Sequence, residues 1–212
     1  MKHWLLAFLI LTVVPLSAAA TLNVVATHAV LAEIAAQVGA DAINVTTLIP
    51  SGFCPAHYDL SPSDYAALIN ADLVLYSGFE PWVEQLSGDT QPDALIQLAG
   101  SWNTPGAAAQ LASAIADVLS ERLPDASDTF HSNSEDYAQE LAAIDQTLSE
   151  RAAALDVSGT PVICMAWQAE FVSWLGFDVA VTYGLPENLS IRDLIDLVWV
   201  VGFEINTCEI AL

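Results

Sequence analysis

Lysine occurs once in this sequence, at Lys2, and the strong cations beyond it are Arg122, Arg151 and Arg192. Against these 4 basic residues stand 26 Asp and Glu, a formal net charge of −22. No nucleic acid is expected as a partner, because phosphate binding needs Lys and Arg to displace counterions. Anionic lipid surfaces are disfavoured for the same reason. A field of this sign suits a cation or a basic surface. Cysteine is scarce too: Cys54, Cys164 and Cys208 form neither a CxxC pair nor a zinc knuckle, and their odd number leaves a thiol unpaired within the chain. There is no G-x-S-x-G, no P-loop and no H-E-x-x-H, so the common signatures of hydrolases, nucleotide binders and zinc proteases are missing. Internal repeats and low-complexity tracts are missing as well.

What is present is apolar. Hydrophobic residues make up 54% of 212 residues and charged residues 14%, enough for one large domain or two modest lobes. Lys2, the apolar run Trp4 to Leu16 and the small residues Ser17 to Ala20 have the layout of a secretory signal peptide over residues 1–20. The run is shorter than the ~20 residues of a spanning helix and contains Pro15. An exported protein is expected, periplasmic or at the cell surface; retention of the segment would anchor it to the membrane. No cysteine stands at the junction, so a lipid-anchor signal is missing.

Strand and helix patterns then alternate. Leu22 to Ala26, Ile43 to Ile49, Leu73 to Ser77 and Ala94 to Ala99 read as strands. Thr27 is expected to cap a helix that stops at Gly39, Ser61-Pro62-Ser63-Asp64 has the form of a helix start, and Thr104-Pro105 opens another. Ser132 and Glu135, spaced as a capping box, predict the start of a long helix reaching Leu155. Beyond Gly159 come strand Pro161 to Met165, helix Trp167 to Leu175, strand Asp178 to Tyr183, helix Leu189 to Val200, and Phe203 to Leu212 as a further strand. The class is α/β: two Rossmann-like lobes with mostly parallel sheets joined by a long helix, the second lobe incomplete. The expected boundaries are 21–127 for the first lobe, 128–157 for the connecting helix and 158–212 for the second lobe.

Several short motifs carry a family likeness. Val24-Val-Ala-Thr27, Leu48-Ile-Pro50, Ala56-His57-Tyr58, Ser61-Pro62-Ser63-Asp64 and Ala71-Asp72-Leu-Val-Leu-Tyr76 resemble the metal-binding solute-binding proteins of zinc and manganese ABC importers. Trp102-Asn-Thr-Pro105, Asn133, Tyr137, Phe171 and Gly176 continue the resemblance. It implies a non-catalytic, monomeric protein that holds one divalent ion, zinc or manganese, in an interlobe cleft and delivers it to a membrane permease. It also implies that His57 is a metal ligand, and neutral imidazole is a good donor to either ion.

The other donor positions implied by the resemblance depart from the pattern. The histidine expected two residues before Trp102 is Gly100, and the second-lobe donor eleven residues before Gly176 is Met165. Cys54, Cys164 and Met165 offer a different set beside His57, one that would suit a softer ion such as Cu(I) or Zn²⁺. Core packing explains Cys164 and Met165 equally well. Alternatively the cleft holds a non-metal ligand between Trp102, Trp167 and Tyr58, or the protein is a surface adhesin. A thiol-dependent enzyme built on Cys54 and His57 has no third orienting group in the sequence. His28 stands at the expected start of the first helix, where the resemblance places no ligand, and His131 is expected to face solvent.

Overall fold

The computed structural model describes residues 21–53, 57–83 and 92–208. The expected signal segment and Cys54 lie outside the described residues. Strands β1 (Leu22–His28), β2 (Ile43–Ile49), β3 (Leu73–Tyr76) and β4 (Leu95–Gln97) form one parallel sheet in the order β2-β1-β3-β4. In β1 and β3 successive residues point to opposite faces, yet Val24, Val25, Ala26, Leu73, Val74 and Leu75 are all buried. Both faces are therefore covered, which is why Val24 to Ala26 and Leu73 to Leu75 read as unbroken apolar runs.

One face carries the larger core. Helices α1 (Ala29–Gly39), α3 (Pro105–Arg122) and α4 (Ser127–Ala154) bring Leu31, Ile34, Ile115, Leu119 and Phe130 against Val24, Ala26, Leu73 and Leu75. The other face packs Val25, Leu48, Ile49 and Val74 on Leu68 of α2 (Pro62–Ile69). Helix α2 starts as its sequence predicts: the Ser61 hydroxyl accepts from Asp64 N, and Asp64 Oδ2 accepts from Ser61 N at 2.8 Å. Thr104 likewise caps α3 by accepting from Ala107 N at 3.2 Å.

Helix α4 starts earlier than the Ser132–Glu135 spacing predicts. The turn Pro124–Ala126 leads directly into it, and Phe130, fully buried, fixes its first turn in the core. Tertiary packing therefore overrides the capping box, and Ser132 lies within the helix. Asn133 Nδ2 then donates to Val38 O at 2.9 Å, tying α4 to α1.

A second sheet follows, with β5 (Pro161–Met165) parallel to β6 (Asp178–Tyr183). Helix α5 (Ala169–Trp174) is tied to α4 by Trp174 Nε1 donating to Asp145 Oδ1 at 3.0 Å. Burial is thin here: Cys164 alone is buried in β5, and no residue of β6 is. Helix α6 (Ile191–Cys208) begins at a Ser190–Asp193 capping box. It runs through Phe203, which the sequence pattern assigned to a strand. A lone interior glycine, Gly202, costs a helix only about 1 kcal/mol relative to alanine, too little to stop one already propagating.

Candidate functional site

Open α/β sheets bind ligands at the carboxyl ends of their strands, where the strand order reverses. Here the chain passes from β1 to β2 on one side and returns to β3 on the other. The crevice therefore opens above the carboxyl ends of β1 and β3. Four segments leave the sheet at that edge: the end of β1 at His28, the chain after β2, residues 77–80 after β3, and residues 98–104 after β4.

The first and third of these are locked together by a buried carboxylate. Glu80 accepts from the Thr27 hydroxyl, from Gly78 N at 2.9 Å and from Ser77 N at 3.4 Å. Gly78, at φ +91°, turns the backbone to present these amides. His28 is 7% exposed, and its Nε2 lies 2.7 Å from Ser77 Oγ. Its ring packs on Trp102 with centroids 4.6 Å apart, and Trp102 meets Phe79 edge to face. Burial pushes the His28 imidazole below its ordinary pKa, with the Glu80 charge acting against that shift.

Sequence reasoning placed His28 and Thr27 at the start of a helix. Instead β1 extends through both, because His28 pairs in register with Ile49 of β2. Thr27 accordingly spends its hydroxyl on Glu80 and caps nothing. Ser77 and Glu80 went unnoticed as site residues. The available signal was an isolated acid between Phe79 and Trp82, just after an apolar strand.

His57 is exposed on the loop that leaves β2. The next residue is clamped: Tyr58 packs against the core that includes Val25, Ile49 and Leu68, and its hydroxyl donates to Asp64 Oδ2 at 3.0 Å. Burial would raise the Asp64 pKa, but hydrogen bonds from Ser61 and Tyr58 prevail and hold it below its usual value. Burial and the neighbouring carboxylate push the Tyr58 phenol up.

On the second sheet Met165 ends β5, half-buried, beside the buried and unbridged Cys164. Adjacent strand residues point to opposite faces, so these two sulfurs diverge. Asn103 Nδ2 donates to Trp167 O at 2.6 Å, which brings the chain just after β5 against the loop carrying Trp102. Gly100 adopts φ +127°, a conformation that an L side chain such as histidine rarely takes. Among the described residues no group of three or more His, Cys, Asp or Glu is gathered closely enough to hold a metal ion. His131, half-exposed on α4, lies 3.5 Å from Ser120 Oγ and 4.0 Å from Asp117.

The family model described as zinc-uptake complex component A, periplasmic, matches residues 24–198 of this chain. The chain is 27% identical over 163 residues to the manganese ABC transporter substrate-binding lipoprotein scaA of Streptococcus gordonii, covering 64% of this chain and 53% of that protein. It is 28% identical over 162 residues to the zinc-binding lipoprotein AdcA of Streptococcus pneumoniae, covering 61% and 32%. The chain spans about half the length of the first of these relatives. Among solved structures, the Zn(II)-bound ZnuA-like domain of Streptococcus pneumoniae AdcA superposes with a TM-score of 0.66 at 24% identity, covering 86% of this chain and 75% of that one. The Mn-bound periplasmic metal binding protein from candidatus liberibacter asiaticus gives a TM-score of 0.73 at 15% identity, covering 85% and 76%. At these identities the superpositions establish a shared fold.

Proposed function

We infer the function of this chain from its membership: it belongs to the family of zinc-uptake complex component A, periplasmic. It captures a divalent metal ion, zinc or manganese, between two α/β lobes and passes it to the membrane permease of an ABC importer. In this reading residues 1–20 direct export, 21–127 and 158–212 are the lobes, and 128–157 connects them. The protein works outside the cytoplasm as a monomer and changes no covalent bond in its cargo. His57 donates an imidazole nitrogen from the first lobe. Met165, at the end of β5, is a further donor, and Cys54, three residues before His57 in the sequence, is another; Cys164 points to the opposite face of β5 and belongs to the packing.

The observation that carries this reading is the meeting of segments at one crevice. The loop bearing His57 leaves the carboxyl edge of the first sheet, beside the point where strand order reverses. The Asn103–Trp167 hydrogen bond joins the chain that follows Met165 to the loop after β4, at the same edge of the sheet. Relatives named for binding zinc or manganese supply the cargo class. The test is a zinc titration of the purified protein against a chromophoric chelator, with elemental analysis after dialysis. Stoichiometric zinc is expected in the wild type. His57→Ala should weaken binding by at least the ~10–100-fold typical of losing even an outer-shell partner of a metal ligand. A wild type that retains neither zinc nor manganese under saturating supply overturns the assignment.

A further inference from the structure

We propose that His28 is a second imidazole donor to the metal on the first-sheet side, acting through Nδ1 from the end of β1. This inference rests on the metal-capture reading above and deepens it. A histidine on the middle strand of a sheet, 7% exposed, is an expensive way to fill space, since an imidazole must satisfy its nitrogens or lose hydration for nothing. One nitrogen is accounted for by Ser77 Oγ at 2.7 Å from Nε2. When Nε2–H donates to that hydroxyl, the lone pair resides on Nδ1. Metal-binding histidines are usually held this way, with the ring nitrogen away from the metal bonded to a fixed partner. The partner is itself fixed, because Ser77 N and Gly78 N both donate to the buried Glu80 carboxylate, which also takes the Thr27 hydroxyl. With these donors around it, Glu80 serves to hold the framework.

The location agrees with the chemistry. His28 ends the strand at which the sheet order reverses, and its register partner Ile49 begins the connection to His57. Its ring lies 4.6 Å from that of Trp102. Trp102 follows Gly100 by two residues, so the loop after β4 lies against the His28 ring. Two imidazoles favour zinc over manganese, which prefers oxygen donors.

The experiment compares zinc affinity in wild type, His57→Ala and His28→Gln, using the full chain. Glutamine keeps an N–H able to reach Ser77 but has no imidazole lone pair. Weakening of zinc binding by tenfold or more in both variants supports the proposal. Wild-type affinity in His28→Gln, with His57→Ala weakened, overturns the role of His28 and leaves metal capture standing. No zinc binding by the wild type defeats both. Should His28→Gln lose its near-ultraviolet circular dichroism, the wild type labelled with ¹⁵N-histidine decides: a zinc-induced shift of His28 Nδ1 supports the proposal, and an unmoved signal overturns it.

Discussion

Ser61 and Glu80 show how much single polar groups contribute here. The Ser61 hydroxyl and the Asp64 carboxylate cap α2 reciprocally while Tyr58 adds a third bond. Ser61→Ala should cost about 1 kcal/mol of unfolding free energy, measured by urea titration. Asp64 has its folded pKa depressed below the unfolded value near 4. Its contribution is present above that value and lost as pH falls through the folded one. The urea midpoint of wild type should therefore drop below about pH 4 more steeply than that of Asp64→Asn. Glu80→Ala is a harsher change, because it strands the buried Thr27 hydroxyl and the Ser77 and Gly78 amides. A loss of about 3 kcal/mol or more is expected, well beyond the typical point mutation. A Glu80→Ala protein as stable as wild type would show that these bonds hold nothing.

Among elements, helices α4 and α6 separate what sequence reveals from what only packing decides. The bounds of β2, β5 and β6 follow the sequence pattern because each is a short run rich in Val, Ile or Thr that starts just after a helix or turn. The start of α4 does not, since a capping box inside a helix looks the same in sequence as one that opens it. Phe130→Ala should cost about 3–5 kcal/mol by leaving a cavity where α4 meets the core. Helix α6 is the opposite case. Its apolar stripe Ile191, Leu194, Ile195 and Val198 is exposed, Val198 at 70%. Ile191→Ser with Val198→Ser should change the unfolding free energy by no more than about 1 kcal/mol, since exposed sites typically contribute within ±0.5 kcal/mol each. The site was only partly legible for a related reason. His57 announces itself through a local motif, whereas His28 meets Ser77 and Thr27 meets Glu80 through contacts 49 and 53 residues apart in the chain.

At the scale of the molecule, burial among the described residues is concentrated around the first sheet. Both of its faces are covered, while the second sheet has two strands and one buried residue in them. Amide hydrogen exchange should follow that division: slowest in β1 and β3, faster by orders of magnitude in β5 and β6. Equal protection in the two sheets would contradict the packing described here. The strand order has a further consequence during synthesis. β1 emerges from the ribosome first but occupies the middle of its sheet, so pairing with β2 leaves its other edge bare until Leu73–Tyr76 has been made. A nascent chain halted before that point carries an open, apolar strand edge, the kind of template on which other chains aggregate.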